Sequence, residues 1–391
     1  MIALLPFQKE YTSYVKQNWI YDCDTGVGKT YMGLWHYSKF YGHAGIPLLI
    51  VAPASKITEG GWQRLLDNKL PEVAYEMCSY NLLPKRWKGY ADYFVIYDEC
   101  HRIKNSTGVW GKSAYFLSKV AVGFICLSAT PIPNDWEDSI NYFKMFSLTK
   151  NKTQFLNNYA YLTNIKGYQE IIDWKKQDEL TRMWQSISKR MNKSDAIDLP
   201  ELIFKEVRFS RSKDYQEIIK TRVLNDVEYD NQMKLRHGLR QHCNLVQKIS
   251  YLTEFIENTT DNIVIFYNYD IELEVLKPLT DYVCNGYEKN YPKKEEWDNI
   301  KNTVTIANYK SGAEAVEFTF SPLIIYFSPT ESYTEFYQSY GRCHRVGQNQ
   351  KVTAYKFITQ QTIEVDIYKA LDNKKDFNYE LWMSGKEDLN E

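Results

Sequence analysis

Short apolar runs separated by polar turns recur along the chain. Leu48–Ala52 reads Leu-Leu-Ile-Val-Ala, Tyr93–Tyr97 reads Tyr-Phe-Val-Ile-Tyr, and Phe124–Leu127 reads Phe-Ile-Cys-Leu. Runs without polar alternation predict strands buried on both faces, as in a parallel sheet covered by helices. A second set follows at Ile263–Tyr267, Val304–Ala307, Leu323–Phe327 and Val352–Phe357. Between the sets, about residues 135–200, no such run occurs, and the stretch predicts helices bearing Trp136, Trp174 and Trp184. The pattern therefore predicts an α/β fold of two parallel-sheet lobes, residues 1–200 and 201–391, joined near Leu199-Pro200-Glu201. The first lobe carries a helical extension over about residues 135–200. Near the end, Ile363, Ile367 and Leu371 recur at helical spacing and predict a helix that packs the tail onto the second lobe.

Composition narrows the class. A chain of 391 residues can bury two cores. Its net charge of −1 gives no bulk electrostatic case for nucleic acid. Seven cysteines, an odd number with no C-x-x-C pair, predict free thiols in a reducing compartment. The start, Met1 to Pro6, lacks the basic region of a signal peptide, and no apolar run approaches the ~18 residues of a membrane helix. The expectation is a cytoplasmic protein, in a bacterium or a phage-infected host, without a membrane partner. His237, His242 and Cys243 lack a suitably spaced fourth ligand, so they predict packing rather than structural zinc.

Three strings carry chemistry. Asp24-Thr25-Gly26-Val27-Gly28-Lys29-Thr30 precedes a predicted helix, with Cys23 where the strict phosphate-loop pattern has glycine. Glycines bring backbone N–H groups close to phosphates, Lys29 reaches the outer phosphates, and the Thr30 hydroxyl suits Mg²⁺. Asp98 and Glu99 end an apolar strand, the place for a metal-linked and a water-polarising carboxylate. Ser128-Ala129-Thr130 also ends a strand. All three strings fall at the strand edge where α/β sheets bind ligands. Far downstream, Gln338-Ser339-Tyr340-Gly341-Arg342-Cys343-His344-Arg345-Val346-Gly347-Gln348 predicts one helix turn presenting Arg342 and Arg345 together. Such arginines can supply positive charge to a transferring phosphate, which predicts a motor with its nucleotide between two lobes.

Together the strings resemble the superfamily 2 helicases and, more narrowly, the Swi/Snf-type DNA translocases, over about residues 4–375. Asp98-Glu99-Cys100-His101-Arg102-Ile103-Lys104-Asn105 looks like that family's extended acidic box, with Cys100 where alanine is usual. Ser128 to Asn134 resembles its third motif and Tyr340 to Gln348 its sixth. Weaker echoes are Leu5-Pro6-Phe7-Gln8, Leu239 to Asn244 and Ile363-Glu364-Val365-Asp366. The resemblance implies two RecA-like lobes, ATP and Mg²⁺. It implies that Gln8 reads adenine, that His101, Ser128 and Thr130 couple the nucleotide to the lobe interface, and that Gln338, Arg342 and Arg345 complete the site. The fifth motif is normally glycine-rich and touches both nucleotide and DNA backbone. Here it reads Lys310-Ser311-Gly312-Ala313-Glu314-Ala315-Val316, with Gly312 as the nucleotide contact and Lys310 and Ser311 on the track. Further phosphate contacts are expected at Pro53, Ser55, Lys56, Ser79, Tyr80, Asn81, Tyr267 and Asn268. The implied protein is a near-minimal phage- or bacterial-type motor that translocates on double-stranded DNA, with a bound protein among the cargoes it could move. An unwinding helicase on DNA or RNA, and a nucleotide-gated DNA-binding protein with little turnover, are the alternatives.

Overall fold

The apolar runs become the inner strands of two parallel sheets in the computed structural model. It describes residues 2–377 except 43, 133, 166–167, 197, 289, 298 and 310–315. Contacts divide the chain into a unit ending at Asp198 and a unit beginning at Leu199, each with its own core.

In the first unit, β1 (Trp19–Cys23), β2 (Leu48–Ala52), β3 (Tyr75–Ser79), β4 (Phe94–Asp98) and β5 (Gly123–Ser128) precede a hairpin of β6 (Ala160–Ile165) and β7 (Tyr168–Trp174). An edge strand, β8 (Ser188–Met191), follows. The main sheet runs β3-β2-β4-β5-β1-β8 with every pairing parallel. Successive residues alternate between its faces. Ile50, Ile96, Ile125 and Leu127 pack with Met32 and Leu34 of the helix Lys29–Phe40. Leu49, Val51, Val95, Tyr97 and Phe124 pack with Ala114 and Leu117 of the helix Val109–Val120.

The stretch 135–200 differs from its all-helical expectation. Helices do form there, over Ile140–Met145, Lys152–Tyr159 and Gln177–Ile187, but the antiparallel β6–β7 hairpin and β8 lie among them. These strands carry polar residues at half their positions, so no apolar run announces them.

The second unit opens with β9 (Leu202–Phe209) and a two-stranded ribbon of β10 (Val223–Leu224) and β11 (Val227–Glu228). It continues with β12 (Ile263–Tyr267), β13 (Tyr282–Cys284), β14 (Val304–Asn308), β15 (Leu323–Tyr326) and β16 (Val352–Thr359). Its sheet runs β13-β14-β12-β15-β16-β9, again all parallel. The predicted tail helix spans Ile363–Asp372 and buries Ile363, Ile367 and Leu371. It is fastened by an ion pair inside the core, where Lys248 Nζ donates to Glu364 Oε1 at 2.6 Å and to the Phe327 carbonyl at 2.8 Å. Glu364 Oε2 accepts from Thr359 N at 2.8 Å, so both carboxylate oxygens are satisfied.

Candidate functional site

Strands β4, β5 and β1 are neighbours in the first sheet, with Asp98 beside Leu127 and Ser128 beside Asp22 in register. Three strings scattered over more than a hundred residues of sequence thus end at one edge, because each follows the C-terminus of one of three adjacent strands.

The phosphate loop leaves β1 and turns through Gly26 and Gly28, both at φ +83°. Gly28 starts the helix Lys29–Phe40 and offers no capping side chain, which leaves the first-turn N–H groups to an anion. A side chain at Gly28 would be strained, and its Cβ would come within 2.5 Å of Gln8 Nε2. Gln8 is buried: Oε1 accepts from Leu5 N at 2.9 Å and Nε2 donates to the Val27 carbonyl at 2.8 Å. The residue expected to read adenine is thus itself a strut of the phosphate loop. Thr25 and Thr30 are half-buried on either side of the turn, and Val27 plugs its side chain into the core.

Lys29 Nζ folds over the loop, donating to the carbonyls of Cys23 at 2.8 Å and Asp24 at 2.9 Å. Burial lowers its pKa from the usual lysine value, against the pull of Glu99. The loop is braced from an unforeseen quarter. Arg190, on β8, donates to Asp22 Oδ1 at 2.6 Å and the Ala129 carbonyl at 2.8 Å, and also pairs with Asp24. Asp24 Oδ2 further accepts from Lys193 N at 2.9 Å. One guanidinium therefore ties the phosphate loop to the third string. No local pattern signals this, since Arg190 lies 166 residues from Asp24 on an edge strand.

The acidic box is held as firmly. Asp98 Oδ2 accepts from Trp62 Nε1 at 2.9 Å and its carbonyl from Tyr80 OH at 2.7 Å. Glu99 sits at φ 52°, a left-handed conformation that non-glycine residues seldom adopt and that recurs at functional sites. Burial alone would raise its pKa, but the ammonium groups of Lys56 and Lys29 outweigh it and hold the carboxyl well below its usual range. His101 is pushed down to about 4, by burial before all else, and is neutral at ordinary pH. Its Nδ1 lies 3.2 Å from Ser128 Oγ, which accepts from Thr130 N at 3.1 Å, and 3.6 Å from Glu99 Oε2. His101, Ser128 and Thr130 thus form one chain running from the acidic box to the third string.

Several expected track contacts are placed differently. Tyr80 and Tyr267 are each 2% exposed, so neither ring is presented to a backbone. Lys56 points to Asp98 and Glu99. Asn268 donates to Ser328 Oγ at 2.8 Å and the Pro329 carbonyl at 3.0 Å, tying β12 to the loop after β15. Pro53 is buried, Ser55 and Ser79 are half-buried, and Asn81 is exposed. Lys310, Ser311 and Gly312 lie outside the described residues.

In the second unit the helix Tyr333–Cys343 carries Gln338 and Arg342, but it ends before Arg345. The single helix turn expected for both arginines is broken by a turn through Gly347 at φ +100°. Gln348 is buried and donates to the carbonyls of Thr319 at 3.0 Å and Ser321 at 3.1 Å, which pins this turn to the segment leading into β15. Arg345 pairs with Glu317 at 2.9 Å. Of the three residues weighed as zinc ligands, His237 meets Tyr269 edge to face, His242 lies 3.6 Å from Asp214, and Cys243 is buried. No helix among the described residues is long and apolar enough to cross a membrane.

No family model matches the sequence. An uncharacterized ATP-dependent helicase of Mycoplasma pneumoniae is 22% identical over 416 residues, covering 90% of this chain and 39% of its own length. Helicase SWR1 of Saccharomyces cerevisiae is 26% identical over 149 residues, 35% of this chain and 10% of its own. The chain thus spans well under half the length of these curated relatives. Among solved structures, the Sulfolobus solfataricus SWI2/SNF2 ATPase core in complex with dsDNA is similar at TM-score 0.46 and 19% identity, covering 95% of this chain and 91% of that one. The sequence is thus similar to proteins named as ATP-dependent helicases, and the three strings meeting at one sheet edge accord with that similarity.

Proposed function

We propose that the chain is an ATP-hydrolysing motor that moves along double-stranded DNA without having to part its strands. The observation that carries this reading is the wiring of the first sheet edge: phosphate loop, acidic box and third string joined through Arg190 and through the His101–Ser128 contact.

The residues suit the work asked of them. The first-turn N–H groups and Lys29 would bind the outer phosphates of ATP. The Thr30 hydroxyl and the Asp98 carboxylate are hard oxygen donors that fit Mg²⁺, which when bound with the triphosphate would neutralise part of its charge. Glu99, held ionised, can accept a hydrogen bond from the attacking water and orient it. His101, neutral and in contact with Ser128, can pass a change at the acidic box to the third string by rearranging hydrogen bonds. Arg342 and Arg345 of the second unit would add positive charge to the transferring phosphate, a contribution worth roughly 10³–10⁵ in rate in comparable enzymes. Ser55, Ser79 and Asn81 remain the candidates in the first unit for phosphates of the track.

The DNA half rests on the resemblance of the motif strings to Swi/Snf translocases. Displacement of a third strand from a triplex, set beside unwinding of a forked duplex, tests it. ATP-dependent triplex displacement with an intact fork is expected. Fork unwinding would move the protein to the strand-parting helicases, and neither activity in the presence of ATP turnover would end the translocase reading.

A further inference from the structure

Lys56 sits on the helix Ala54–Glu59, between Pro53 and a left-handed Gly60 at φ +71°. Its ammonium lies 2.8 Å from Glu99 Oε1 and 3.2 Å from Asp98 Oδ2. One cation thus bridges two adjacent carboxylates. The other polar contacts of Asp98 come from the neutral donors Trp62 Nε1, Glu99 N and Tyr80 OH. These are the two carboxylates proposed above to serve Mg²⁺ bound with a triphosphate and the attacking water. An ammonium and a divalent cation cannot both contact one carboxylate oxygen without strong repulsion in a half-buried site. The short helix that carries Lys56 buries none of its residues, so little core packing resists its displacement.

We propose that Lys56 is a displaceable cation of the acidic box: it holds Asp98 and Glu99 together until Mg²⁺ and ATP enter, and their entry expels its ammonium and shifts the segment Ala54–Glu59. The inference rests on the ATP site proposed above. Lys56 then sets the Mg²⁺ concentration at which the site fills and turns nucleotide binding into movement of this short surface helix. The lysine that the sequence assigned to a track phosphate thereby acquires a partner inside the nucleotide site.

The experiment is a Mg²⁺ titration of the binding of a fluorescent ATP analogue, without nucleic acid, by the wild type, Lys56→Ala and Lys56→Arg. Removing the competing ammonium should lower the half-saturating Mg²⁺ about tenfold in Lys56→Ala, the scale of one partly buried ion pair. Lys56→Arg, which keeps the cation, should stay close to the wild type. A Lys56→Ala curve that coincides with the wild type, or shifts to higher Mg²⁺, overturns the proposal and makes Lys56 a fixed support of the carboxylates. Should Lys56→Ala fail to fold, acylation of Lys56 in the wild type, read by mass spectrometry, decides. Labelling should rise on adding Mg²⁺ with the analogue, and unchanged or reduced labelling contradicts displacement. A wild type that binds no nucleotide would overturn the ATP reading itself. Binding with no change at Lys56 would overturn this inference alone.

Discussion

At the scale of single residues, the first unit spends its charged side chains on holding a loop. Gly28→Ala should do more harm than its size suggests. A left-handed φ costs a side-chain-bearing residue about 1–2 kcal/mol, and the new Cβ would push Gln8 off the Val27 carbonyl. Nucleotide affinity measured by equilibrium titration should fall at least tenfold. Arg190→Ala removes the clamp between Asp22, Asp24 and Ala129. Its head is partly solvated, so the expected loss is about 1 kcal/mol, or about fivefold in nucleotide Kd, with Arg190→Lys little better because a lysine cannot fork. Buried His36 and half-buried His101 shape the acid side of stability. His36 accepts from Tyr21 OH and donates to the Gln17 carbonyl, each at 3.0 Å, and burial pushes it down to about 4, as it does His101. Both are neutral when folded and titrate near 6.5 when unfolded, so the unfolded chain takes up the protons first. Stability is therefore full above about pH 6.5 and falls as pH drops toward 4, by up to about 3 kcal/mol for His36. Urea unfolding at pH 7, 5.5 and 4.5 should show this slope, and His36→Gln should flatten it.

At the scale of elements, what the sequence showed depended on where a strand lies in its sheet. Inner strands β2, β4, β5, β12 and β15 read as unbroken apolar runs, while Thr305 interrupts β14 and Thr353 and Lys356 interrupt β16. Edge strands β3, β8 and β9 carry polar residues toward solvent, and edge strand β13 is only three residues long, so none of the four was legible. Strand β1 is inner, but its run is broken by Asp22, which stays buried because Arg190 meets it. The same limit governs the candidate site. Loop strings were readable because their chemistry is local, whereas Arg190 and Trp62 act across distances that no periodicity reports. The helix bearing Arg342 was legible, but its end before Arg345 was not, since a buried Gln348 and a left-handed Gly347 set that turn. The tail helix offers a test of its own. Lys248→Met leaves Glu364 buried without its cation and should cost about 3–5 kcal/mol, while Lys248→Met with Glu364→Leu should recover much of that loss. Denaturant unfolding of the single and double variants measures the difference.

At the scale of the whole molecule, two parallel sheets each carry one part of the proposed chemistry, the phosphate loop and carboxylates in the first unit and the arginines in the second. Under the proposed function, these residues hydrolyse ATP in response to duplex DNA. The most direct measurement is steady-state phosphate release from ATP with no nucleic acid, duplex DNA, single-stranded DNA or RNA, for the wild type, Lys29→Ala, Glu99→Gln and Arg345→Ala. The proposed function requires strong stimulation by duplex DNA and near-complete loss in all three variants, with Glu99→Gln still binding nucleotide. Turnover that ignores duplex DNA, or that survives Glu99→Gln, would contradict it.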